Sequence, residues 1–150
     1  MVSKIALAFK YSAFNKDTCQ LSGNIGNLLQ AFPFINKSVH IDIGGALANF
    51  PLTPKGSSRG FAGTFAFKVK FKKNKMNGAL EFIGGTMPFQ ARYKGTFSDD
   101  WAGEGVDPDA NPVKLGITMP VDFVFNGAVY TFDAPALLTS KMHRGGKFKK

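Results

Sequence analysis

Three oxygen-bearing residues at alternate positions, Asp107-Pro-Asp109-Ala-Asn111, are the closest this chain comes to a metal site. Calcium takes about six to eight oxygen ligands, and an Asp-x-Asp-x-Asn loop can supply several of them. Five of the ten acidic residues fall between Asp99 and Asp109. Against calcium, Pro112 stands where an EF-hand loop has its turning glycine, and no Glu follows at the twelfth position. A solvated acidic loop rich in turn formers accounts for the same residues. Calcium at Asp107, Asp109 and Asn111 is thus the one cofactor to test, and no other is expected.

Nucleophilic chemistry has less to work with. His40 falls on the polar side of an alternating segment, His143 lies in a basic C-terminal stretch, and Cys19 is the only thiol. Gly56-Ser-Ser58-Arg-Gly60 spells Gly-x-Ser-x-Gly, but it sits in the turn that Pro54-Lys-Gly-Ser-Ser58 predicts and not between a strand and a helix as a nucleophile elbow must. No Gly-Lys-Ser/Thr phosphate loop is present. Neither a nucleophile triad nor a zinc set can be assembled from these spacings, so the chain is expected not to be an enzyme.

The basic residues are the stronger functional signal. The net charge is +9, which favours acidic partners. Lys68, Lys70, Lys72, Lys73 and Lys75 form a strip that, with Arg92 and Lys94, could follow a carboxylated or sulfated glycan. Nucleic-acid platforms interleave exposed aromatics with the charges. Here Phe65, Phe67, Val69 and Phe71 alternate onto the opposite face, which disfavours nucleic acid. Lysine on an exposed strand also blocks unwanted edge pairing.

The elements that carry these residues read as β-strands. Val39-His-Ile-Asp-Ile-Gly-Gly-Ala-Leu-Ala-Asn-Phe50 aligns with Val121-Asp-Phe-Val-Phe-Asn-Gly-Ala-Val-Tyr-Thr-Phe132, with four of twelve positions identical. Each copy is two alternating segments joined by Gly-Gly or Asn-Gly, dipeptides that tolerate the positive φ of tight hairpin turns. The two hairpins are expected at equivalent places in two halves of the domain. Period-two alternation also marks Lys4–Tyr11, Thr18–Ser22, Gly63–Lys72, Met76–Ile83 and Phe89–Phe97. Pro120 suggests an edge strand or a bulge. Ser98-Asp-Asp-Trp reads as one helical turn capped by Ser98. Leu28, Leu29, Phe32, Phe34 and Ile35 suggest a helical turn or an apolar loop closing the core.

Eight to ten short strands at this spacing imply an all-β fold. We expect an antiparallel β-sandwich, jelly-roll or Ig-like, or a flattened barrel, with Greek-key-like connections. Its 150 residues make one domain. The expected division is an N-terminal strand at 1–14, a body at 15–140 and a loose basic tail at 141–150. One cysteine excludes an internal disulfide framework. No apolar run reaches the ~20 residues of a membrane helix, so no insertion is expected. The apolar part of residues 1–10 is too short for a signal peptide.

Lys4-Ile-Ala-Leu-Ala-Phe-Lys-Tyr, Asn15-Lys-Asp-Thr-Cys-Gln-Leu-Ser-Gly23, Val39-His-Ile-Asp-Ile-Gly-Gly45, Phe50-Pro-Leu-Thr-Pro-Lys-Gly56 and Gly63-Thr-Phe-Ala-Phe-Lys-Val-Lys-Phe-Lys72 follow one another in order. Together they resemble a β-domain repeated in long secreted or surface proteins of bacteria. The resemblance covers most of residues 4–138. It implies an extracellular or cell-surface scaffold with no catalytic role. The acidic 99–109 loop and the richer Phe content depart from that pattern.

The resulting expectation is a structural, self-assembling subunit of an extracellular fibre or surface layer. Ile5, Leu7, Phe9 and Tyr11 would anchor a donor strand in the next subunit, giving filaments of identical copies. The same strand folding back into its own sheet is the competing outcome. The alternative function is a monomeric module that binds anionic glycan or nucleic acid through the lysine strip. Asn36-Lys-Ser38 is a formal glycosylation sequon in an expected loop.

Overall fold

Gly44-Gly45 and Asn126-Gly127 set the frame by turning the two matching hairpins. Their φ angles are +57°, +93°, +51° and +79°, the doubly positive pattern of a two-residue turn whose twist suits antiparallel strands. Ile43 pairs with Ala46 across one turn and Phe125 with Ala128 across the other. The Asp42 carboxylate braces the first by accepting a hydrogen bond from Gly45 N at 2.7 Å.

The computed structural model describes residues 2–10, 16–26, 34–78, 80–83, 86–107, 113–141 and 144–149. Its strands are β1 (Val2–Phe9), β2 (Asp17–Gly26), β3 (Ser38–Ile43), β4 (Ala46–Pro51), β5 (Ser57–Arg59) and β6 (Gly63–Phe67). They continue as β7 (Lys70–Lys73), β8 (Leu80–Ile83), β9 (Thr86–Gly95), β10 (Val113–Phe125), β11 (Ala128–Lys141) and β12 (Gly145–Lys149). Ten of them form one antiparallel sheet in the order β4-β3-β10-β11-β12-β1-β2-β9-β6-β5, and β7-β8 form a separate ribbon. The large sheet is nearly barrel-shaped: its end strands β4 and β5 come into contact without forming a ladder. Bonds within the link complete the seam, Thr53 N to Ser57 O at 2.7 Å and Gly56 N to Thr53 O at 2.9 Å.

The strand order has a two-fold pattern that the matching hairpins first signalled. Ile41 and Phe123, equivalent in the sequence match, are register partners where β3 meets β10. Exchanging β1 to β5 with β6, β9, β10, β11 and β12 reproduces the same order around the barrel. Hence β2 pairs with its counterpart β9, β3 with β10, and each half's last strand with the other half's first. The connections that follow β2 and β9 each send an aromatic into the barrel, Phe34 and Trp101, both buried.

This order predicts that the chain can be reopened elsewhere. Lys149 pairs with Ala6, and β1 runs on to Val2, about 13 Å further at strand rise. A flexible linker of roughly eight residues from residue 150 to residue 1 would therefore join β12 to β1 as antiparallel neighbours. A circular permutant opened at the fully exposed Phe61 should fold. Relocating one short loop costs little, so its melting midpoint should stay within roughly 5 °C of the parent's. Loss of the cooperative melt, followed by circular dichroism, would contradict the two-fold description.

Phenylalanine fills the interior. Rings from β6 and β9 meet rings from β10 across it: Phe67 to Phe125 at 5.0 Å and Phe89 to Phe123 at 4.6 Å between centroids. Aromatic pairs at such separations add to the burial of their area.

Several expectations are corrected. Gly63–Lys72 is not one strand, because the ladder stops at Lys68. Lys68 N donates to Pro88 O at 2.7 Å, and Pro88 has no N–H to return the bond. The chain then leaves the barrel as β7. Pro120 is not at an edge, since β10 lies between β3 and β11. It sits one residue beyond the last β3 pair, its carbonyl accepting from Gly44 N at 3.0 Å, where no ladder donor is needed. The tail is not loose: Gly145–Lys149 is a strand between β11 and β1, with Phe148 buried.

Candidate functional site

One end of the barrel is closed by chemistry that alternation does not reveal. Asp17 is 1 % exposed and opens β2 on the inward side. Its carboxylate accepts backbone hydrogen bonds from Lys10 N (2.8 Å), Phe97 N (2.7 Å) and Ser98 N (2.9 Å). A carboxylate holding several N–H groups is among the stronger neutral-donor arrangements available. It ties the end of β1 to the segment leaving β9. That segment forms a short 3-10 helix, Asp100–Glu104, and delivers Trp101 into the barrel mouth. The indole N–H donates to Ile43 O at 2.8 Å, and the ring meets Phe9 edge-on at 6.0 Å. Ser98 does not cap this helix; it is buried with its N–H on Asp17, and Asp99 takes the cap position without a side-chain bond.

Tyr93 spans the interior from β9 and donates to Ala46 O at 3.0 Å. Its cross-strand partner on β2 is the buried Cys19. Burial pushes both groups well above their ordinary pKa, so Cys19 remains a thiol at neutral pH and is no nucleophile.

The outer surface separates its charges. On the wall β12-β1-β2-β9, the exposed charged side chains pointing away from the core are Lys147, Lys149, Lys4, Arg92 and Lys94. Small side chains lie between them: Ala6 stands opposite Lys149 and Gln20, and Ala8 opposite Lys147 and Thr18. The opposite wall, β4-β3 with β10 and β11 near the turn they share, turns Asp42, Asp122 and Asp133 outward, and Lys114 faces out at the far end of β10. Asp42 and Asp122 are direct cross-strand partners. Like charges so placed repel unless a cation joins them. One oxygen of Asp122 is shielded from solvent and has no hydrogen-bond partner among the described residues. Leu47 and Val129, equivalent in the two hairpins, are 70 % and 63 % exposed on the same wall.

The residues singled out from sequence are scattered. Ile5, Leu7 and Phe9 lie in the barrel's own core, and both edges of β1 are taken by β12 and β2. The groove they fill is therefore in their own chain. Tyr11 lies outside the described residues, as do Asp109, Asn111 and His143. Asp107 is exposed, and no cluster of three metal-ligating side chains occurs among the described residues. Lys68, Lys70, Lys72, Lys73 and Lys75 are all exposed around the β7 ribbon. Arg92 and Lys94 are not beside them: they stand four and six residues along β9 from Pro88, about 13 and 20 Å at strand rise. His40 is exposed and pairs with the Ser38 hydroxyl at 3.2 Å. Asn36 occupies an exposed turn at φ +57°.

Sequence reasoning missed Asp17, Trp101 and the charged walls. Asp17 had a signal, because it shares the inward phase with Cys19 and Leu21. No protein-family profile, curated protein or solved structure matches this chain. Among the described residues, no helix is long and apolar enough to cross a membrane.

Proposed function

We propose that this protein is a non-enzymatic structural module whose copies associate head to tail, the basic wall of one against the acidic wall of the next. The opposition of the walls carries this reading, sharpened by the direct pairing of Asp42 with Asp122, one oxygen of which has no hydrogen-bond partner among the described residues. A lysine or arginine from a neighbour, set against the outward edge of the pair, relieves that repulsion. Exposed Leu47 and Val129 add apolar area beside it. Because the two walls are different surfaces, the contact is heterologous and extends into a filament unless its rotation closes a ring. An extracellular fibre or surface layer is the setting that the sequence resemblance supports. Cross-interior ring packing supports a flattened, sandwich-like cross-section for the subunit.

Donation of β1 is a costlier route to the same polymer. It breaks the β12 and β2 ladders and uncovers Ile5, Leu7 and Phe9 until the strand is rehoused.

Light scattering during size-exclusion chromatography tests the reading. The unaltered chain is expected to associate at low salt and to dissociate as salt shortens the screening length to about 8 Å and below. Asp42→Lys/Asp122→Lys should be monomeric throughout. A monomer at every concentration and salt would overturn wall-to-wall association.

A second reading, binding of anionic glycan, has its own support in the five exposed lysines around the β7 ribbon. It predicts salt-sensitive retention on dextran sulfate, lost in Lys68→Glu/Lys70→Glu/Lys72→Glu. Retention that ignores these changes excludes the ribbon.

A further inference from the structure

We propose that a cavity at the Trp101 end of the barrel binds an amphipathic organic anion: an apolar body carrying one carboxylate, sulfonate or phosphate head. The cavity measures about 450 Å³ and lies where β1 and β11 end and β12 begins. Its apolar lining comes from Phe9, Ala8, Gly145 and Gly146. Phe9, Gly146 and Ser140 form one row across the three strands. Gly146 has to be glycine, because a Cβ there would run into the Thr139 carbonyl oxygen and lie 2.9 Å from Ser140 Cα, both backbone atoms, besides meeting the Phe9 ring. The ring therefore lies over bare backbone, and carbon dominates the surface.

The charges around the hollow, and not its one buried hydroxyl, select an anion. Ser140 lines the cavity at 7 % exposure, and its hydroxyl is shielded from solvent without a hydrogen-bond partner among the described residues. That hydroxyl is turned away from the open hollow, so Ser140 shapes the wall and the choice of charge falls to the rim. Lys10, Lys16, Lys141, Arg144 and Lys147 also line the site, and no acid does so among the described residues. Cations around a carbon-lined hollow suit a ligand whose head stays at the rim while its body enters. A bare inorganic anion would leave the apolar surface uncovered, and a neutral hydrophobe would leave the cations unused. The volume is in the range of small-molecule sites. This site is separate from wall-to-wall association, sharing Ala8 and Lys147 with the basic wall.

The test is a fluorescence titration of the full chain with anilinonaphthalene sulfonate, a probe with both required parts. Saturable binding of one probe per chain is expected. Lys10→Glu/Arg144→Glu, both at exposed positions, should weaken it by about tenfold or more. Ser140→Phe should abolish it by filling the hollow. Lys149→Glu on the wall should leave it unchanged, which separates failure of this site from failure of the association reading. Three results would each overturn the proposal: unsaturable binding, equal affinity in Lys10→Glu/Arg144→Glu, or equal affinity for the uncharged naphthylamine analogue. Full displacement by millimolar inorganic sulfate would overturn it as well, by showing that the head alone binds.

Discussion

Trp101→Ala is expected to destabilise the fold by about 3–5 kcal/mol, the usual range for a large aromatic removed from a core. The side chain is 0 % exposed and closes the barrel mouth against Phe9 and Phe97. Alanine leaves a hole that the stiff strand ends around it cannot collapse to fill. It also strips Ile43 O of its indole partner, an additional cost for a buried carbonyl. Domains of this size have roughly 5–15 kcal/mol of stability, so the variant should still fold but melt far earlier. Urea unfolding followed by circular dichroism measures the loss. A change under about 1 kcal/mol would mean that the 3-10 segment is not packed in the mouth as described.

Asp17→Ala is expected to cost a similar amount, about 3 kcal/mol or more, by a different route. The substitution removes little apolar contact. It leaves Lys10 N, Phe97 N and Ser98 N without their acceptor in a place that water reaches poorly. Asp17→Asn keeps one acceptor oxygen and should fall between the two. The Asp17 and Trp101 effects should not add, because the carboxylate holds the start of the segment that delivers the indole. A double variant that loses the full sum of the single losses would show that clamp and plug act independently. Urea midpoints of the four proteins, compared at equal slope, decide this.

How much could be read in the chain beforehand follows from the range of the physics involved. Both hairpins were legible because a two-residue turn is local: Gly-Gly and Asn-Gly state the φ angles required. The buried phase of β2, β3, β9 and β10 was legible because alternation is local as well. The end of β6 was not, since it depends on Pro88 lying across from Lys68, twenty residues later in the chain. The strand Gly145–Lys149 was read as tail because its lysines outnumber its one buried anchor, Phe148. Its partners are at the two ends of the chain's span, β1 and β11. Asp17 looked like a linker charge, yet its even spacing from Cys19 and Leu21 placed it inside. Charge segregation was invisible for a topological reason. Lys4, Arg92 and Lys149 come onto one wall only once β1 is laid between β12 and β2.

The association reading has one decisive measurement. Asp42→Lys/Asp122→Lys presents two basic walls, and Lys4→Glu/Lys147→Glu/Lys149→Glu presents two acidic ones. Each variant should sediment as a monomer at low salt. Their equimolar mixture should form complexes that high salt dissolves. A mixture that remains monomeric, or either variant associating alone as the unaltered chain does, would contradict assembly through opposed walls.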